Sequence, residues 1–170
     1  GLGDNLVTDL TAQFGEFGKR YLWDRNYSET RLPEVPSAIL EMLSHQNFPD
    51  MRIAQDPLGK FYIARSIYKT ILRFVNSNHG TRYVVQPLAP QNFSVTQNQG
   101  VALLSWTAQL DKTEPSARPT SYIIYKAEGQ GGFDNGTIVN TTRCQMLLEP
   151  GKLYHFKVAA VNAGGESFTT

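Results

Sequence analysis

The sequence predicts an α/β segment, built as helix–strand–helix, followed by an all-β sandwich. Two stretches with helical spacing of apolar residues flank a short apolar run in the first 80 residues. From residue 90 onward, short alternating runs separated by Gly, Asn and Pro replace that spacing. We therefore place the α/β segment at residues 1–80, a linker at 81–89 and the sandwich at 90–170.

The first helix is predicted over Asp4–Arg25, with Asp4 as its N-cap. Its apolar residues recur every three or four positions and form one stripe, which is typical of a core-facing helix. The stripe consists of Leu6, Leu10, Phe14, Phe17 and Tyr21. A polar connection, residues 26–31, follows it. Within this connection, Glu29 and Arg31 either form a solvated pair or border a site built further along the chain.

An apolar run, Ser37–Leu43, is predicted to be a buried strand that carries one carboxylate, Glu41. Two prolines before it exclude a helix, and a polar run after it is typical of a loop that lines a site. Burying the charged Glu41 side chain costs free energy unless a partner compensates its charge or the residue has a functional role. Two interpretations therefore remain: Glu41 ends a strand and points into solvent, or it belongs to a site.

The second helix begins at Asp56-Pro57, since Asp accepts from the first amides and Pro is tolerated in the first turn. We expect it to end at 76–80, where Asn and Gly follow. Its predicted apolar face consists of Ala64, Ile67, Tyr68, Ile71, Leu72 and Val75. Its predicted solvated face carries Lys60, Arg65, Lys69 and Arg73. One strand cannot cover its own edges, so we expect neighbouring strands upstream of residue 1 or in another chain.

The stretch from Glu41 to Asp50, with the helix that follows it, resembles the last strand, loop and helix of zinc-dependent N-acetylmuramoyl-L-alanine amidases. In that family the strand ends in a Glu that assists a zinc-bound water, so the resemblance implies a catalytic role for Glu41. His45 and Gln46 lie between Ser44 and Asn47, which departs from the family pattern. The resemblance covers about the first 80 residues.

The resemblance implies zinc in the complete domain, with its ligands, two His and a Glu, upstream of residue 1. Within the chain, His45, His79 and His155 are far apart and form no zinc-binding motif. We expect this segment alone to bind no metal and to be inactive. His45 and Asn47 lie close enough in sequence to Glu41 to line the same site, together with Arg31 and Glu29.

Seven short runs in about 80 residues predict a β-sandwich from residue 90 onward. The runs are 92–96, 101–108, 120–128, 137–140, 144–148, 153–161 and a start at 167. Leu104-Ser105-Trp106, Tyr122–Tyr125 and Leu148–Ser167 resemble a fibronectin type III domain. The resemblance implies that Trp106 is the core tryptophan and that Tyr154 forms the tyrosine corner. The last strand is cut short at Thr170.

The net charge, the lengths of the apolar runs and the cysteine count limit the kinds of partner and environment that we expect. The net charge is +1, with 16 basic and 15 acidic residues, and no basic patch is present, so we expect no nucleic-acid partner. No run is apolar enough to span a membrane. A single cysteine excludes an internal disulfide. The chain resembles an excised piece of a longer protein.

Three functions fit these observations. The first is a fragment of a secreted or periplasmic bacterial cell-wall hydrolase of the zinc amidase type, with a fibronectin type III spacer and peptidoglycan or another envelope glycan as its partner. The second is a non-catalytic scaffold module that binds carbohydrate or protein. The third is an accessory part of a secreted polysaccharide-degrading protein of the lyase type.

Overall fold

The structure is a computed structural model, and it describes residues 2–15, 18 and 24–170. The chain divides into two compact units, residues 1–75 and 76–170. The first unit is helical in its regular parts, and the second is a two-sheet β-sandwich. Two members of the predicted first stripe, Phe17 and Tyr21, lie outside the described residues.

Helix α1 spans Leu2–Phe14 and is shorter than predicted. It ends at Gly15, whose φ of +86° lies in the left-handed region and whose amide donates to the Thr11 carbonyl at 3.0 Å. Glycine adopts this conformation without a Cβ penalty and commonly ends helices. Asp4 lies inside the helix and is not its N-cap, because the helix begins at Leu2. Leu6 and Leu10 are buried, as predicted.

The predicted strand at Ser37–Leu43 is wrong, because residues 36–44 contain neither strand nor helix. An extended segment becomes a strand only when another strand pairs with its amides and carbonyls. No strand is present among the described residues of the first unit. A short helix, α2, at Ser28–Arg31 precedes this segment, and a second one, α3, at Phe48–Gln55 follows it.

Helix α4 spans Pro57–His79 and begins and ends as the sequence predicts. The Asp56 Oδ1 atom accepts a hydrogen bond from the Leu58 amide at 2.9 Å, which satisfies one of the unpaired amides of the first turn. Gly80 follows the helix with a φ of +63°, and its amide donates to the Asn76 carbonyl at 2.9 Å. Near the start of α4, Gly59 is buried where the Ile53 carbonyl approaches the helix, so a Cβ at this position would lie 2.3 Å from that oxygen.

The predicted solvated face of α4 is wrong at two positions, since Arg65 and Lys69 are buried while Ile71 and Ala64 are exposed. The Lys69 ammonium donates to the Asp9 carboxylate of α1 at 2.7 Å, and the two side chains are 2% and 6% exposed. A buried charge is tolerated when an opposite charge compensates its lost hydration. The helical periodicity of α4 could not predict the burial of Lys69, because its partner Asp9 lies 60 residues earlier in the chain.

The second unit forms a three-stranded sheet, β1-β2-β5, and a four-stranded sheet, β4-β3-β6-β7. All of the pairings are antiparallel. The strands are β1 Gln91–Asn98, β2 Val101–Thr107, β3 Ser121–Glu128, β4 Thr137–Val139, β5 Arg143–Leu147, β6 Tyr154–Asn162 and β7 Gly165–Glu166. The predicted sandwich is confirmed, although β7 begins two residues before the predicted start at residue 167.

The core of the sandwich lies between the two sheets and contains the inward-facing residues of β2, β3 and β6. Trp106 is 5% exposed, and its ring meets the Tyr122 ring edge-on with centroids 5.3 Å apart. The buried cluster consists of Ala102, Leu104, Trp106, Tyr122, Ile124, Val158 and Ala160. Backbone pairing continues past β7, since the amides and carbonyls of Thr170 and Val158 exchange hydrogen bonds at 2.9 and 3.0 Å.

Residues 81–89, where the sequence predicts a linker, contain neither helix nor strand. Val85, Pro87 and Leu88 are nevertheless buried within the second unit. The segment therefore packs as part of the sandwich unit over these positions.

We expect Lys69→Ala to lower the free energy of unfolding of the helical unit by about 3–5 kcal/mol, because it leaves the buried Asp9 carboxylate unpaired. Urea denaturation followed by helical circular dichroism measures this change. Lys60→Ala, on the exposed side of the same helix, is the matched control and should change stability by less than about 0.5 kcal/mol. Equal effects of the two variants would contradict a structural role for the ion pair.

Candidate functional site

Glu41 lies in the irregular segment between α2 and α3, and its side chain is exposed. Its neighbours Leu40 and Met42 are half-buried. No hydrogen bond or ion pair joins Glu41 to another of the described residues. The carboxylate is therefore accessible to an external ligand or to solvent.

The backbone turns sharply two residues after Glu41. Leu43 has a φ of +56°, a left-handed conformation that is costly for a residue with a branched side chain. Such conformations cost on the order of 1–3 kcal/mol, and they cluster at functional sites and switch regions. This turn directs the chain from the Glu41 segment into the loop at residues 44–47.

The loop after Glu41 is fixed to the start of α3 by a set of short-range hydrogen bonds. The Asp50 carboxylate accepts from the Ser44 amide at 2.8 Å, and the Asn47 side chain accepts from the Asp50 amide at 3.4 Å. The Asn47 amide donates to the Ser44 carbonyl at 2.9 Å. Asn47 thus acts as the N-cap of α3, and Asp50 places a negative charge where the helix dipole favours it. The motif Asn47-x-x-Asp50 is the sequence signal that could have predicted α3.

The other predicted site residues are all exposed. His45 lies in the turn between Leu43 and α3, while Glu29 and Arg31 lie in α2. The pKa of Glu29 is lowered by a hydrogen bond from its own backbone amide and by one from the Ser28 hydroxyl. One contact ties α2 to the Glu41 segment, because the Ser37 hydroxyl donates to the Thr30 carbonyl at 3.3 Å. No hydrogen bond or ion pair joins Glu29, Arg31 or His45 to Glu41 among the described residues.

These side chains do not fit a zinc site by themselves. Catalytic zinc requires three protein ligands and an open position. Across residues 2–15, 18 and 24–170, no group of three His, Cys, Asp or Glu side chains is close enough to hold a metal ion. Glu41 alone provides a single exposed carboxylate.

The sandwich has an open groove of about 490 Å³ at one end, next to the β5–β6 connection. Lys152 borders it and pairs with Glu149 at 2.7 Å and with Glu128 at 2.9 Å. The hydrogen bonds from Lys152 lower the pKa of Glu149, while both carboxylates raise the pKa of Lys152. The Tyr154 hydroxyl accepts from the Glu149 amide at 3.3 Å, which ties the connection to β6.

The outer face of the four-stranded sheet carries a second group of polar and aromatic side chains. The Lys157 ammonium lies 4.9 Å from the centre of the Tyr125 ring and 4.4 Å from that of the Phe133 ring. The Tyr125 hydroxyl donates to the Glu166 carboxylate at 2.7 Å, and this hydrogen bond is the main cause that raises the pKa of Tyr125. Phe133 is 44% exposed. We call these four residues, Tyr125, Phe133, Lys157 and Glu166, the aromatic–lysine patch.

The sheet order, the tryptophan between the sheets and the hydroxyl contact of Tyr154 define a fibronectin-like sandwich module. The family model "Fibronectin type III domain" matches residues 88–170. Residues 88–170 are therefore a fibronectin type III domain. No helix among the described residues is long and apolar enough to cross a membrane.

Several solved structures contain a similar domain. The twitchin kinase region from C. elegans is 26% identical over 49% of this chain and 15% of its own, with a TM-score of 0.43. The titin kinase with its flanking domains is 22% identical over 51% of this chain and 16% of its own, with a TM-score of 0.45. A two-domain fibronectin type III segment from chicken tenascin is 26% identical over 51% of this chain and 47% of its own, with a TM-score of 0.42.

The chain thus spans less than a third of the first two of these structures. No curated protein matches it.

We expect Asp50→Ala to destabilise the helical unit by about 1–2 kcal/mol, because the Ser44 amide loses its acceptor and the first turn of α3 loses a favourable charge. Thermal and urea denaturation followed by circular dichroism measure the loss. Gln55→Ala, exposed at the other end of α3, is the control and should leave stability within about 0.5 kcal/mol. An unchanged midpoint for Asp50→Ala would show that the loop does not depend on this contact.

Proposed function

We propose that this chain serves in a bacterial cell-wall hydrolase of the N-acetylmuramoyl-L-alanine amidase type. Residues 1–80 contribute Glu41 to the catalytic part, and the fibronectin type III domain is its spacer. The observation that carries the proposal is the resemblance of Glu41–Asp50 to the last strand and loop of that family. The Glu41 carboxylate is exposed in an irregular segment followed by the strained turn at Leu43, so it is accessible to a ligand.

The segment around Glu41 has features of a strand that requires a partner. Val35 and Ile39 are 68% and 47% exposed, and the backbone of residues 36–43 has no strand beside it among the described residues. Exposed apolar side chains on a segment that has no neighbouring strand favour association with a sheet edge. In the proposed domain, that association would complete the layer and place Glu41 at the end of a strand, where ligands bind in such sheets.

Glu41 would act there as a proton-transfer group. A carboxylate accepts the proton of an attacking water and returns it to the leaving amine of the cleaved amide, which typically contributes about 10²–10⁴-fold to a rate. The family resemblance assigns zinc to the complete domain, but the described residues do not form its site. The role assigned here is therefore that of Glu41 alone. The substrate of the proposed hydrolase is the peptide-bearing glycan of the cell envelope, and a secreted or periplasmic protein would reach it.

We expect Glu41→Gln in the natural full-length protein to reduce release of peptide from peptidoglycan by at least about a hundredfold, because the amide cannot accept the proton. Residues 1–170 alone should release none. Chromatographic quantification of the released peptide measures both results.

Glu34→Gln is the matched control, since Glu34 is another exposed carboxylate of the same segment. It should retain full activity. Equal activities of the Gln variants at positions 41 and 34 would remove Glu41 from the mechanism, provided that circular dichroism shows both to be folded.

A second candidate function is a non-catalytic binding module, either in a scaffold or in a polysaccharide-degrading protein of the lyase type. The aromatic–lysine patch favours it, because exposed aromatic rings next to charged side chains are enriched at binding surfaces. Ile138, 69% exposed on β4, pairs with Ile123 in the same sheet and extends the surface.

We expect Phe133→Ala to weaken retention of the chain on purified peptidoglycan by at least about twofold if the patch binds glycan, because one exposed aromatic contact is worth about 0.5–1.5 kcal/mol. A sedimentation assay with insoluble peptidoglycan measures the bound fraction. Leu110→Ala removes a comparably exposed apolar side chain elsewhere on the module and should have no effect. Equal retention of the two variants would contradict binding through the patch.

A further inference from the structure

The segment that leads into the sandwich, residues 83–87, is held by a network of buried polar groups. The Tyr83 hydroxyl donates to the Glu114 carboxylate, which also accepts from the Ser116 hydroxyl at 2.7 Å. Ser116 in turn accepts from the Val85 amide at 3.1 Å. Glu114 is only 5% exposed, so its charge depends on these donors for the hydration it has lost.

A second contact holds the same segment from the β6–β7 turn. The Asn162 side-chain amide donates to the Val85 carbonyl at 2.9 Å and to the Ser116 carbonyl at 3.0 Å. The Asn162 Oδ1 atom accepts from the Gly164 amide at 2.7 Å, which fixes the orientation of the side chain. The Val85 amide is thus hydrogen-bonded to the β2–β3 connection, and the Val85 carbonyl is hydrogen-bonded to the end of β6.

The leading segment also passes directly over Gly164. A Cβ at this position would lie 2.5 Å from the Val84 carbonyl oxygen and 2.9 Å from the Gln86 amide nitrogen. The backbone of the leading segment can approach this closely only because residue 164 is a glycine and has no side chain. Four residues hold the leading segment, and we call them the clasp: Glu114, Ser116, Asn162 and Gly164.

We propose that the clasp is a conformational device that fixes the chain at Tyr83, ahead of the residues that match the family model. With the clasp closed, residues 83–87 form part of the module, and the connection before it is limited to residues 81–82. With the clasp open, residues 83–87 would add about 17 Å of extended chain to that connection. The clasp therefore sets the length and stiffness of the joint, whichever of the two proposed functions the chain performs.

Residue-resolved hydrogen exchange on the 170-residue chain tests this proposal with two variants. Tyr83→Phe removes one hydrogen bond to a buried carboxylate, and Gly164→Ala displaces the leading segment without removing any polar group. We expect Tyr83→Phe to accelerate exchange of the Val85 amide by about tenfold to a hundredfold, the factor that corresponds to a hydrogen bond to a charged group. Gly164→Ala should accelerate the same exchange by at least about tenfold, because the displaced segment loses the hydrogen bonds of both Val85 backbone groups. Exchange in β3 and β6 should remain unchanged, because the core is not altered.

Each variant has a matched control on the same module. Tyr125→Phe removes another tyrosine–glutamate hydrogen bond, on the outer face of the sheet, and Gly132→Ala adds a methyl group where nothing lies within 4 Å. Neither control should change exchange at Val85. Trypsin cleavage after the exposed Arg82 should likewise accelerate in Tyr83→Phe and not in Tyr125→Phe.

Two results would overturn the proposal. One is exchange of the Val85 amide in the unmodified chain at the rate of an unstructured peptide. The other is acceleration at Val85 by Tyr83→Phe and Gly164→Ala that is no greater than that by their controls. Should Gly164→Ala unfold the whole sandwich, the comparison of Tyr83→Phe with Tyr125→Phe decides alone.

Discussion

The pairing of backbone amides and carbonyls is the constraint on which this structure depends. An extended chain presents a row of these groups on both edges, and they are stable only when another strand, a side chain or water satisfies them. In residues 91–170, seven short strands satisfy one another in two sheets, and the apolar faces enclose Trp106. Residues 36–43 form a comparable apolar run, but no strand among the described residues pairs with them.

Buried polar groups then decide which surfaces meet. The Asp9–Lys69 pair joins α1 to α4 in the helical unit, and the contacts of Glu114 and Asn162 join three distant parts of the sandwich unit. Apolar packing tolerates many relative positions of two faces, whereas a buried charge is stable only where its partner lies within hydrogen-bond distance. These few contacts therefore fix arrangements that the apolar core alone would leave open.

The candidate site follows from the same constraint. Glu41 lies in a segment that is anchored at both ends, by Ser37 to α2 and by Ser44 to the start of α3. Between these anchors, no strand in the described part of the chain pairs with the backbone, and at Leu43 the backbone is strained. A segment held at both ends, with no strand beside it among the described residues and with the exposed Glu41 carboxylate, is suited to completion by another sheet. The hydrolase proposal therefore rests on this segment and not on the helices around it.

The sequence by itself determined the features that depend on near neighbours in the chain. Alternation predicted the strands, and the resemblance to fibronectin type III domains implied that Trp106 lies inside. Asp56-Pro57 and Gly80 marked the two ends of α4, because caps and turns form between residues a few positions apart. Only the tertiary structure decided the burial of Lys69, the absence of a strand at Ser37–Leu43 and the packing of residues 83–87 on the sandwich. Each of these depends on whether a partner lies nearby in space, and that partner is tens of residues away along the chain.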